Sequence, residues 1–299
     1  MQARTAMGIG CIALSAGVAA ISLLGPLVLK TIDYRTAETG LNQLKGADLA
    51  SLALVAPAAA AAGGLWLRRH PLAPIVSLAP AAYSVYIYAQ AILGEDYARY
   101  EGNNEQFFPL HLGLIVLGGT LALRSWSAIE ADALPLPSER LRRTAAYTLI
   151  GSGLFLALGL HLPQLVAVWR GDPPAEARDA PAAFWVVKTM DLGLVLPVAL
   201  ATGAGLLRRS RTALKAAYAL SGGFALLGAS VTAMAVVMQA NDDPSVSPVF
   251  TAGFGVITLA FAALTWRLVR SSQLGESAGD RGATGHADPG RLAERGNAL

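Results

Sequence analysis

Eight long apolar runs alternate with short polar segments along this chain of 299 residues. They lie near 7–29, 48–67, 73–93, 109–126, 145–169, 183–207, 213–240 and 248–269. Each is close to the ~20 apolar residues that cross a bilayer as a helix. The runs are continuous, whereas the strands of a membrane barrel are short and alternate apolar with polar positions. The pattern therefore predicts an all-α integral membrane protein with eight transmembrane helices. The first run follows Arg4 and is too long for the apolar core of a cleaved leader, so it reads as a helix of the mature fold.

The second and sixth runs share a design. DLASLALVAPAAAAAGGLWLRR at 48–69 and KTMDLGLVLPVALATGAGLLRR at 188–209 align without a gap. Their prolines set the offset, 197 − 57 = 140, and the arginine pairs keep it. Leu52, Leu54, Val55, Ala59, Ala61, Gly63 and Leu67 recur at the same distance. So do Gly113, Val116 and Trp126 of the fourth run, as Gly253, Val256 and Trp266 of the eighth. The fold expected is thus two tandem four-helix repeats, 1–126 and 145–270. They are joined by a basic, proline-containing linker at 127–144 and followed by a tail at 271–299. Residues 7–126 are expected to superpose on 147–266 about a two-fold axis along the membrane normal. The tail is rich in Gly, Ser, Ala and charge, with no apolar period. It is expected to be a disordered cytoplasmic extension in which His286 is a solvated side chain.

Composition agrees with the pattern. Apolar residues make up 54% and charged residues 14% of the chain, and the mean hydropathy is +0.47; an ordinary soluble domain has about 25% charged residues. The net charge of +3 and the pI near 9.1 come from arginines at the ends of apolar runs. That is a topology signal and not a phosphate-binding stripe, so the bilayer is a partner and nucleic acid is not. Arg4, Arg68, Arg69, Arg140, Arg142, Arg143, Arg208, Arg209, Arg211, Lys215, Arg267 and Arg270 all fall on one side of an eight-span topology. The bias predicts an inner-membrane protein with both termini in the cytoplasm. The five tryptophans sit near span ends, as in an interfacial aromatic belt. The single cysteine, Cys11, leaves no intrachain disulfide or CxxC site and reads as a lipid- or core-facing residue.

No metalloprotease, hydrolase, P-loop or dinucleotide motif is present, so the sequence singles out no catalytic residue, no cofactor and no metal. Polar groups inside the spans are more informative, because they are costly in hydrocarbon. Lys188 and Asp191 share one helical face, as do His161 with Gln164, and Tyr83 with Tyr86 and Gln90. With His111, Gln239 and Asp48, these residues all lie toward the outer ends of their spans, which predicts an outward-facing polar vestibule. Lys188 is expected to pair with Asp191 in its own helix and to reach Asp48 across the repeat axis. His111, His161 and Asp191 lack the spacing of a metal-ligand set. Pro57 and Pro197 are expected to kink their helices by freeing the carbonyls of Ala53 and Gly193. The paired glycines read as close helix contacts.

The stretch DLGLVLPVALATGAGLLRR, 191–209, resembles a recurring element of uncharacterised bacterial multipass membrane proteins. In that element an Asp-Leu-Gly start, a mid-span proline and a terminal arginine pair share one helix. The resemblance implies a multi-pass fold and carries no activity with it. The reading for function is a polytopic inner-membrane protein that binds or moves a small solute or lipid through the vestibule. The alternative is a sensor, scaffold or assembly partner of another membrane protein. An enzyme acting on lipid would need a convergent acid–base or metal cluster, which the sequence does not show.

Overall fold

The computed structural model describes the backbone of residues 2–284 and the side chains of residues 2–271. Among these residues all regular structure is helical. Eight helices are long and apolar enough to cross a bilayer: α1 Gln2–Leu24, α2 Glu38–Leu67, α3 Ala73–Leu93, α4 Asn104–Ala128, α5 Glu139–Trp169, α6 Pro181–Leu207, α7 Arg211–Ala240 and α8 Pro248–Thr284. A short helix, Ala175–Asp179, precedes α6. The helices run up and down, so one end of the bundle collects the arginine pairs and the other the longer loops. The start set for the tail, residue 271, falls inside α8; residues 285–299, with His286, lie outside the described residues.

Helix ends follow local chemistry. Ser138 and Ser210 cap α5 and α7 by accepting the N–H of Leu141 and Ala213, each at 3.3 Å. α1 stops at Gly25-Pro26, ahead of the end of its apolar run. α2 starts at Glu38, within a segment whose polarity suggests a loop. Its early turns are held by packing: at Gly46 a Cβ would come within 2.3 Å of the Met234 Cα of α7. α2 and α6 end alike, with Arg69 (φ 57°) and Arg209 (φ 60°) in the left-handed conformation. After each, the next N–H bonds back to the helix, His70 to Leu65 O and Ser210 to Gly205 O, both 2.9 Å.

Three helices contain π-helical segments: Ser51–Val55 in α2, Phe155–His161 in α5 and Asp191–Val195 in α6. Each is followed, one residue later, by a proline: Pro57, Pro163 and Pro197. Proline has no N–H, and its ring crowds the carbonyl four residues back. The ladder answers by slipping to five-residue bonds, Ala56 N–H to Ser51 O, Leu162 N–H to Ala157 O and Leu196 N–H to Asp191 O. Pro80 in α3 produces no such segment. The π segments of α2 and α6 start 191 − 51 = 140 residues apart.

In the first four helices, α1 packs on the second part of α2, α2 on α3, α3 on α4, and α4 back on α1. Small residues bring the backbones together: a Cβ on Gly63 would lie 2.9 Å from Gly8 O. In the second four, α5 packs on α6, α6 on α7 and α7 on α8, with Gly203 set against Ala146 O at the same 2.9 Å. The contact of α8 with α5 is sparse. The sets join where the early turns of α2, and α3, pack on α7, and Lys215 of α7 sits 4.3 Å over the Trp126 ring at the arginine-rich end. Trp66 does not face an interface: it is buried and donates to Ser77 Oγ at 2.7 Å. Cys11 is core-facing, beside the same serine.

Candidate functional site

The weak α5–α8 contact leaves room for a cavity of about 730 Å³ between the two helix sets. Its inner part is apolar and aromatic. Phe224 meets Phe261 edge to face at 5.0 Å between centroids, and Phe254 lies between Phe155 (6.4 Å) and Phe250 (4.6 Å). Leu227, Val231 and Ile257 complete the wall. The rim, toward the loop-rich end, is formed by Thr36 just ahead of α2, Thr39 and Gly40 of α2, the short helix at Ala175–Asp179, and Pro244, Ser245 and Val246. Asp243 anchors that last segment. Burial works against its charge, but the Ser245 N–H at 2.9 Å, with the Ser245, Thr39 and Asn42 side chains, holds its carboxylate below the usual range.

Two chains of hydrogen bonds line the polar part. In the first, Tyr86 OH donates to Asp191 Oδ1 at 2.5 Å, and His161 Nε2 lies 2.8 Å from Asp191 Oδ2. His161 ends one π segment and Asp191 begins another, so both are placed by the ladder slips that Pro163 and Pro197 impose. His161 Nδ1 is buried with no hydrogen-bond partner. In the second chain, Lys188 Nζ donates to Gln164 Oε1 at 2.7 Å, and Gln164 Nε2 donates to Glu176 Oε2 at 3.1 Å. Lys188 also sits 3.4 Å over the Phe184 ring.

Of the ten residues expected in the vestibule, Tyr86, Gln90, His161, Gln164, Lys188 and Asp191 line this cavity, and Tyr83, Asp48, His111 and Gln239 do not. Asp48 is buried within the first four helices, against Gly25. His111 is buried there too, with Nε2 3.3 Å from Tyr34 OH and Nδ1 2.9 Å from Phe107 O. Gln239 is off the cavity wall, with Nε2 unpartnered. Nor does Lys188 form the expected bridge: among the described residues no ion pair joins it to Asp191 or Asp48. The amide of Gln164 satisfies the ammonium, and His161 takes the Asp191 carboxylate. His111 lies within the first four helices, apart from the bonded His161 and Asp191, and the described residues contain no group of three or more His, Cys, Asp or Glu set to hold a metal ion.

The sequence reading missed Glu176, which sits in a polar loop with no apolar pattern to mark it. It also missed the link of Ser51 Oγ to Tyr83 OH at 3.0 Å and of Tyr83 OH to Ser230 Oγ at 3.2 Å. The offset carries a signal for it: Ser51 and Asp191 lie 140 residues apart, and each bonds a tyrosine of α3. Comparison with protein-family models, with curated proteins and with solved structures yields no match.

Proposed function

We propose that this is an integral protein of the inner membrane, built from two tandem four-helix repeats, that binds a small amphipathic molecule in the cavity between them. The arginine-rich end faces the cytoplasm and the cavity rim faces out. The matching pairing order of α1–α4 and α5–α8 supports the duplication, as do the 140-residue spacing of π segments and terminal turns and the Gly63 and Gly203 contacts. The observation that carries the binding reading is the cavity itself. It is within the size range of small-molecule sites, apolar at one end and lined at the other by a few convergent polar groups. The gap between α5 and α8 offers a route for a lipid-like molecule from the bilayer.

Charge narrows the ligand. Glu176, Asp179 and Asp191 line the cavity against one ammonium, Lys188, which already has an acceptor and a ring. The head group is therefore neutral or cationic, because an anionic head would meet like charge. The unpartnered His161 Nδ1 is available to it. Matched amphiphiles test this reading on protein in nanodiscs. Dodecylamine and dodecanol should raise the melting temperature saturably, and dodecanoate should do so least. Val231→Trp, which fills the apolar wall, should abolish the response. Equal responses to all three, or a response that survives Val231→Trp, would overturn it. Reporter fusions after residue 270 and within 242–247 test the orientation, which requires opposite sides.

A further inference from the structure

The first four helices enclose a second polar group, independent of the cavity. Asp48 is 8% exposed, and its Oδ2 has no hydrogen-bond partner. That oxygen sits against Gly25, where a Cβ would come within 2.4 Å of it. No lysine, arginine or histidine pairs with it among the described residues. Two hydroxyls are buried beside it with no partner of their own: Ser22 Oγ on α1, in a residue 0% exposed, and Tyr88 OH on α3, in a residue 2% exposed. The Ser22 hydroxyl and the Leu27 N–H face the Asp48 carboxylate, and the Tyr88 hydroxyl faces Ser22. Here α1 ends, and Pro26 has no N–H to close the helical bond to the Ser22 carbonyl. The negative end of a helix dipole thus points at the same spot.

A lone carboxylate in a low-dielectric interior is costly unless a countercharge meets it. We propose that Asp48, Ser22 and Tyr88 form a binding site for one monovalent alkali cation, with the C-terminal end of α1 completing it. Three unpartnered oxygens from three helices are hard ligands of the kind such cations take. Broken helix ends with exposed carbonyls serve sodium in the same way in other membrane proteins. A proton would satisfy one carboxyl oxygen and leave the hydroxyl oxygens as they stand; a cation takes all three. One carboxylate balances one positive charge, so a divalent ion would bring an unpaired charge into the interior. His111 packs edge to face against Tyr88 at 5.9 Å between centroids, but both of its ring nitrogens are already bonded, to Tyr34 OH and to Phe107 O.

The test is thermal unfolding of the purified protein in nanodiscs, titrated with NaCl at ionic strength held constant with choline chloride. A ligand of the folded state raises stability as the logarithm of its concentration above the dissociation constant. Sodium should raise the melting temperature saturably where choline does not, and radioactive sodium should bind at about one ion per chain. Asp48→Asn should abolish both signals. Tyr88→Phe and Ser22→Ala should each raise the half-saturating concentration several-fold, and they carry the test if Asp48→Asn does not fold. Lithium or potassium in place of sodium would still support the proposal. Equal curves in sodium and choline, a response only to magnesium or calcium, or unchanged half-saturation in Tyr88→Phe and Ser22→Ala would overturn it.

Discussion

The first four helices close into a ring, and the second four, paired in the same order, stay open. In the closed ring Gly10 and Gly17 of α1 let Leu121 and Leu114 of α4 come close, with Leu114 Cδ2 only 2.6 Å from where a Gly17 Cβ would stand. In the open ring α5 scarcely meets α8, and the space between them becomes part of the cavity. Residues 140 positions apart differ in the same direction. Ile21, buried in α1, stands that distance before His161, and Ser51 before Asp191. α5 carries Pro163 and a π segment where α1 has Leu23 and an uninterrupted helix. The first four helices thus hold a packed core, and the second four a polar-ended pocket. The pocket goes with polar residues in place of apolar ones and with one loose helix contact.

The sharpest way to break the comparison is at positions 51 and 191. Asp191→Ala strips the partner from His161 and Tyr86 in a buried site and should cost about 3–5 kcal/mol. Ser51→Ala removes one neutral hydrogen bond and should cost about 1 kcal/mol. Unfolding free energies in mixed micelles measure both, and equal costs would mean that the two positions are not differently used. The rings themselves come next. Leu114→Ala in the closed ring should cost about 2–5 kcal/mol, because the hole it leaves cannot collapse. Ile257→Ala, on a wall that already faces open space, should cost less than about 1 kcal/mol.

Much of this was legible in the chain, and the exceptions have physical causes. The eight runs, the 140-residue offset and six of the cavity residues follow from hydropathy and helical spacing, which report single helices well. The early turns of α2 do not, because their stability comes from Gly46 lying on the α7 backbone, and no local pattern encodes a distant partner. Lys188 and Asp191 share a helix face, yet each finds its partner on α5. Asp48 lies at the expected level but is walled into the closed ring. The prolines at 57 and 197 each follow a slipped ladder and not the simple break that a missing N–H suggests, and that form depends on the packing around it.

Smaller effects sharpen the joint between the two sets and the loop-rich end. Gly46→Ala should force α2 off α7 and cost about 1–3 kcal/mol by overpacking. The melting temperature should fall while α1–α2 contacts, read by cross-linking at Gly8 and Gly63, persist. Glu95, in the α3–α4 loop, gives a pH signature. Burial, only partly offset by the Arg35 N–H, pushes its carboxyl up to about 7. Its folded pKa is raised, so the fold favours the protonated form. Its contribution is greatest below the ordinary value of 4.5 and is lost as pH rises toward about 7. The melting temperature of the wild type should therefore fall from pH 5 to pH 8 more than that of Glu95→Gln. Parallel curves would remove Glu95 from the account.

Tyr83 and Tyr86 stand one turn apart on α3, and that spacing has a mechanical consequence. Tyr86 holds Asp191 in the open ring, and Tyr83 holds Ser51 in the closed ring and Ser230 on α7. The two side chains share one stretch of stiff backbone, so a rotation of α3 moves both hydroxyls together. A molecule in the cavity that draws Asp191 away from Tyr86 leaves α3 with one grip in place of two. A rotation of α3 that restores the first grip must strain the second. The helix is thus a yoke between the two grips, and a turn of α3 about its axis loads both tyrosines at once.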